Sequence, residues 1–182
     1  MFQQLLTKLA IELDKSKIPY MVIGGQAVLV YGEPRLTKDI DITLGIGAEG
    51  IDRVKTVIKR LGLKILAKNI DKFVHKTMVC PAIDKKSGIR IDFIFSFTPY
   101  EQQAIKRARK IKLGKQGINF ASLEDLIIHK MIAKRERDIE DVKTIILKNP
   151  KFNKSYILKW LKDFDQTLGS NSTDIFNKII KH

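Results

Sequence analysis

The chain has 182 residues, of which 44% are hydrophobic and 30% charged, and its formal net charge is +14. That length suits one compact domain, or a domain with a helical extension. No apolar run approaches the ~20 residues of a spanning helix, and the start, Met1-Phe2-Gln3-Gln4, lacks the features of an export signal. Cys80 is the single cysteine, which excludes an internal disulfide and a cysteine-based zinc site. These features predict a cytoplasmic protein with no membrane partner. The excess of basic residues raises affinity for polyanions such as RNA. A lysine-rich proteome gives the same number, and both readings stand.

Residues 2–14 are predicted as a helix, because Phe2, Leu5, Leu6, Leu9, Ala10 and Leu13 form one apolar stripe. A strand over Tyr20 to Ile23 runs into Gly24-Gly25, and a helix over Gln26 to Tyr31 follows. Gly32-Glu33-Pro34 stops that helix, since proline disfavours helical geometry in the residue before it. Thr37 to Leu44 reads as a second strand.

Two features of this stretch carry chemistry. A strand ending in Gly-Gly before a helix brings backbone N–H groups and a helix N-terminus to one point, an anion site suited to phosphate. Glycine also lets a ligand approach the backbone. On the next strand, Asp39 and Asp41 share one face, with Cα atoms about 6.5–7 Å apart. Ile40, Ile42 and Leu44 point the other way, into a core. Such a carboxylate pair repels itself unless a cation intervenes, and a hard divalent ion such as Mg²⁺ shared with substrate phosphates suits it.

Residues 45–50 form a loop and Ile51 to Leu61 a helix ended by Gly62. Leu63 to Ala67 and Phe73 to Cys80 are candidate strands, and Pro81 to Gly88 a polar turn. Ile89 to Phe97 alternates strongly: Ile89, Ile91, Phe93, Phe95 and Phe97 take one face, Arg90, Asp92, Ile94 and Ser96 the other. A carboxylate in so apolar a strand needs a partner. For Asp92 that partner is either Arg90 or a lysine, or a metal ion shared with Asp39 and Asp41.

Pro99 to Lys110 is predicted as a helix whose basic end, Lys106, Arg107, Arg109 and Lys110, suits a helix C-terminus. A short hairpin joins Ile111–Leu113 to Ile118–Phe120. Ser122 caps a further helix, with Asp125 in the N3 place. On that helix Lys130 lies on the apolar stripe of Leu126, Ile127 and Met131, where its stem can snorkel. Lys134, Asp138 and Asp141 share a face with Lys130 if the helix is continuous, a salt-bridged stripe in the plain reading. Asn153 to Phe164 and Thr173 to Ile180 are amphipathic helices, with Trp160 read as core. His75, His129 and His182 show no metal-site spacing.

Gly-Gly-x-Ala, Tyr31-Gly32 and Arg35-x-Thr37-x-Asp39-Ile40-Asp41 together resemble the signature of the nucleotidyltransferase superfamily related to DNA polymerase β. The form is similar to its minimal and AbiEii-like branches, which include toxin–antitoxin nucleotidyltransferases. The segment from Lys130 through Lys134 and Asp138 to Asp141 is similar to the AbiEii-like Lys…Arg-Asp-x-x-Asp pattern. The resemblance spans roughly residues 20–145 and implies an α/β fold of α+β type: a small mixed sheet flanked by helices. A nucleotidyltransferase core over 1–121 and a C-terminal helical portion over 122–182, packed on the core, are expected. The resemblance implies Asp92 as the third acid beside Asp39 and Asp41, all three catalytic and binding Mg²⁺ or Mn²⁺. It further implies Gly24, Gly25 and Lys130 at the phosphates of a nucleoside triphosphate, Arg35 and Thr37 along the approach, and Lys134, Asp138 and Asp141 as support. The expected reaction moves a nucleoside monophosphate to a hydroxyl of an RNA end such as tRNA, a protein or a small molecule such as an aminoglycoside. The rival expectation is a catalytically silent nucleotide- or RNA-binding module, such as an antitoxin or partner subunit.

Overall fold

A computed structural model describes residues 2–34 and 36–181. Its elements run α1 (Phe2–Lys15), β1 (Tyr20–Ile23), α2 (Gly24–Tyr31), β2 (Asp39–Leu44), α3 (Ile51–Arg60), β3 (Lys64–Ile65), α4 (Ile70–Thr77), β4 (Val79–Asp84), β5 (Ile89–Phe95), α5 (Pro99–Lys106), β6 (Arg109–Leu113), β7 (Gln116–Phe120), α6 (Leu123–Ala133), α7 (Glu136–Lys148), α8 (Lys154–Leu168) and α9 (Ser172–Ile179). The chain divides into two compact units, Met1–Gln26 with Leu36–Ala121 and Ala27–Arg35 with Ser122–His182.

The first unit holds a mixed α/β sheet of seven strands among the described residues, in the order β3-β4-β5-β2-β1-β7-β6. β2 runs parallel to β5 and antiparallel to β1. Period-two patterning assigns the two faces. Tyr20, Val22, Ile40, Ile42, Leu44, Ile91, Phe93, Phe95, Ile118 and Phe120 form a continuous buried layer. α1 supplies Leu5, Leu6, Leu9, Ala10 and Leu13 to the same core and packs on β7 and α3.

Three stretches differ from the sequence reading. Phe73 to Cys80, expected as a strand, is mostly α4, which buries Val74 and exposes Lys72, His75 and Lys76. Phe73 itself is exposed there. The strand falls later: β4 runs through Pro81 to Asp84, expected as a polar turn, and buries Cys80 and Ala82 against β5. The helix from Pro99 stops at Lys106, and Arg109 and Lys110 open β6, since pairing of Ile111 with Ile118 outweighs local helix propensity. Hairpin pairing with the next strand decides β4 and β6.

The second unit contains α6 to α9 and the end of α2. Ser122 caps α6, accepting from Asp125 N–H at 3.2 Å and donating to its carboxylate at 2.5 Å, while Tyr156 donates to the same carboxylate at 2.8 Å. α6 does not continue into α7. Lys134 takes a left-handed conformation at φ 51° and the chain turns back. Lys148 pairs with Glu33 at 2.8 Å, and Asn149 donates to the Tyr31 carbonyl at 2.7 Å, so the C-terminal end of α7 fixes the end of α2. No helix among the described residues is long and apolar enough to cross a membrane.

Candidate active site

Local geometry builds the site on the face of the sheet opposite the apolar layer. Asp39 and Asp41 alternate with the buried Ile40 and Ile42 on β2, so burial of the isoleucines turns both carboxylates to the other face. In the parallel β2–β5 register Asp41 faces Asp92 and Asp39 faces Arg90. The three acids therefore share one face of two adjacent strands. Their separation across strands is about 4.8 Å and along a strand about 6.6 Å.

β1 brings in the glycine pair. Ile23 is the antiparallel partner of Asp41, and Gly24 follows it at φ +64°. A Cβ built on Gly24 would land on the Asp41 carboxylate, 2.9 Å from its Cγ. Glycine is required here on both counts: the left-handed backbone, and the carboxylate that lies against it. α2 begins at Gly24, so Asp41 sits at the positive end of a helix. Gly25 is buried beside it, and Thr37 donates to the Asp39 carbonyl at 3.3 Å on the way into β2. Arg35 lies outside the described residues.

Arg90 is a residue that the sequence reading treated only as a structural partner. Its Nε donates to Asp92 Oδ1 at 3.0 Å. The hydrogen bond to Asp92 and the charges of Asp92, Asp39 and Asp41, against a smaller effect of burial, push its guanidinium further up. The signal was present in the sequence, since i and i+2 on a strand share a face. Among the described residues, Arg90 is the base that lies on β5 beside these three acids.

The donor set is all oxygen, which is the chemistry of a hard divalent cation. Among the described residues, no three His, Cys, Asp or Glu side chains are gathered around one point. Asp41 and Asp92 are nonetheless in register on one face, and with Asp39 they would be the residues to hold such an ion. The residues fit such an ion, with Arg90 holding one of the oxygens it needs.

Lys130, Asp138 and Asp141 form a cluster inside the second unit. Lys130 is 4% exposed, and its Nζ lies 2.7 Å from Asp138 and 2.8 Å from Asp141. The break at Lys134 makes this possible, because α7 folds back and brings both acids onto α6. Arg135 adds a 2.6 Å contact to Asp138. Burial disfavours the charged Asp138 carboxyl, yet the hydrogen bonds from Arg135 and Lys130 outweigh it and hold the group below the usual carboxylate range. Lys134 itself caps α6 through its backbone N–H to the Lys130 carbonyl at 3.0 Å. Cys80 is buried on β4, and burial pushes its thiol to about 12, so it is no nucleophile.

Comparison with curated protein sequences gives no match. Among solved structures, the antibiotic-resistance factor ANT(2'')-Ia in solution is similar at 14% identity over 99% of this chain and 97% of that chain, with a TM-score of 0.60. The same protein in complex with adenylyl-2''-tobramycin matches at 14% identity over 92% and 98%, with a TM-score of 0.60. An antigenic nucleotidyltransferase-like protein from Paracoccidioides brasiliensis matches at 19% identity over 91% and 87%, with a TM-score of 0.56. The lincomycin-bound lincosamide antibiotic adenylyltransferase LnuA matches at 18% identity over 73% and 89%, with a TM-score of 0.51. At these identities the likeness is one of fold. The family model described as "Nucleotidyltransferase of unknown function (DUF6036)" matches residues 1–154, and the chain belongs to that nucleotidyltransferase family.

Proposed function

We propose that the chain transfers a nucleoside monophosphate from a nucleoside triphosphate to a hydroxyl acceptor, with Mg²⁺ or Mn²⁺ held by Asp39, Asp41 and Asp92. The observation that carries this reading is the register of Asp41 against Asp92 on one sheet face, with Asp41 lying on Gly24. The bound ion supplies charge neutralisation of the triphosphate and a lowered pKa for the acceptor hydroxyl. The Gly24-Gly25 backbone at the start of α2 orients phosphate oxygens. Asp92 accepts the acceptor's proton as its oxygen attacks the α-phosphorus. The bond from that phosphorus to the bridging oxygen breaks, and pyrophosphate leaves with the bonding pair. Thr37 and Arg35 lie in the segment that leads into Asp39. The role of Lys130 toward the triphosphate rests on the resemblance to the AbiEii-like pattern, as do a toxin–antitoxin setting and a protein partner.

The acceptor we favour is RNA. Lys106, Arg109, Lys110, Lys112 and Lys115 are all exposed within one short stretch of the first unit that contains no acid. Lys110 and Lys112 pair with Asn119 and Gly117, on the same sheet face as the three carboxylates.

A second reading, a nucleotide- or RNA-binding module without turnover, is favoured by one observation: Asp92 is already engaged by Arg90. Incubation with each α-labelled nucleoside triphosphate, Mg²⁺, and total cell RNA and protein separates the two. The enzyme gives label transfer with pyrophosphate release. Nucleotide binding without either outcome leaves the binding module.

A further inference from the structure

We propose that Arg90 is a positioning residue that competes with a divalent cation for the Asp92 carboxylate and so sets the metal affinity of the site. The inference rests on the proposed function and deepens it. Four charged side chains form a two-by-two block on neighbouring strands, Asp39 beside Arg90 and Asp41 beside Asp92. The guanidinium meets the block from its solvent edge: Arg90's side chain is 49% exposed and Asp92's only 20%. Nε donates to Oδ1 of Asp92 at 3.0 Å, so one oxygen of that carboxylate is already taken. Among the described residues, Asp92 is the partner in Arg90's one ion pair.

An isolated exposed pair of this type contributes little. Here the guanidinium also faces the excess negative charge of two further carboxylates. It occupies an oxygen of Asp92 that a cation shared with the in-register Asp41 would draw on. A dication at about 2.1 Å from oxygen interacts more strongly than a single charge at hydrogen-bond distance. Asp92 then turns to the ion, and the half-exposed guanidinium swings into solvent or onto a phosphate.

The test measures Mn²⁺ binding to the full chain without nucleotide, by loss of the free-Mn²⁺ electron paramagnetic resonance signal. Arg90→Met keeps the stem and removes the charge; Arg90→Lys keeps the charge and loses the planar fork. Circular dichroism verifies that each is folded, and Asp41→Asn is the site control. Arg90→Met is expected to bind Mn²⁺ about three- to tenfold more tightly than wild type, with Arg90→Lys in between. Equal or weaker binding by Arg90→Met, while wild-type binding still depends on Asp41, overturns the inference and leaves the proposed function standing. If neither wild type nor Arg90→Met binds Mn²⁺, or if Asp41→Asn binds as wild type does, both fall. Should Arg90→Met not fold, Arg90→Lys decides alone, tighter binding than wild type supporting the inference and unchanged binding overturning it.

Discussion

Two clusters of charge in this protein invite comparison. Lys130, Asp138, Asp141 and Arg135 in the second unit are electrically balanced, and all but Arg135 are buried. Asp39, Asp41, Asp92 and Arg90 in the first unit bring three acids to one base among the described residues, and they are partly exposed. Burial explains the balance: a charge removed from water without a partner costs several kcal/mol, so a closed cluster must neutralise itself. A face open to solvent tolerates an excess of charge, and tolerating it is what makes room for a ligand of opposite sign. Charged residues at suggestive spacings look alike in sequence; burial and exposure set these two clusters apart.

Breaking the balanced cluster has the largest expected effect. Lys130→Met leaves Asp138 and Asp141 buried without their ammonium, a loss of roughly 3–5 kcal/mol. For a chain of this size that lowers the melting temperature by about 10 °C, readable by calorimetry. A melting temperature near that of wild type, with weakened nucleotide binding, would instead return Lys130 to the phosphates.

Asp41→Asn attacks the three-acid cluster and has the opposite signature. Removing one of the repelling charges leaves the cation-free stability equal or higher, while nucleotide transfer falls by at least about 100-fold. The Mg²⁺-dependent rise in melting temperature with nucleoside triphosphate should vanish with it. Identical responses in both proteins would reduce the acid pair to a solvated strand face.

Gly24→Ala sharpens the same point through shape. The left-handed backbone and the clash with Asp41 together cost about 1–3 kcal/mol, and the displaced carboxylate weakens Mn²⁺ binding. Unchanged binding would detach the glycine from the site.

The pH dependence of stability separates the clusters again. The Asp138 carboxyl is held low in the folded chain. Its contribution is fully present above about pH 4, the ordinary carboxylate value. It is lost as pH falls through the lower folded value. Urea midpoints should therefore decline below pH 4 in wild type and decline less in Lys130→Met.

The smallest effect concerns the acceptor. If RNA lies along β6, replacing Lys110 and Lys112 by glutamine lowers the slope of log affinity against log salt by about 1.4, two single-strand phosphate contacts at about 0.7 each. An unaltered slope points to a protein or small-molecule acceptor.

Much of the site was legible in the chain. Alternation with Ile40 and Ile42 put Asp39 and Asp41 on one face, and the apolar row Ile89, Ile91, Phe93 and Phe95 did the same for Asp92, because strand geometry has a fixed period of two. The Gly pair, the first two strands and α1 were equally local signals. The pairing of β2 with β5 was not local, nor was the register that set Asp41 opposite Asp92 rather than Arg90. That depends on which strands meet across some fifty residues, and tertiary packing alone settles it. The same holds for α4 and β4, where burial against β5 decided what periodicity misread, and for Lys130. Its sequence spacing to Asp138 and Asp141 assumed one continuous helix. The turn at Lys134 made the contacts instead, because a buried ammonium needs partners and a folded-back α7 supplies them.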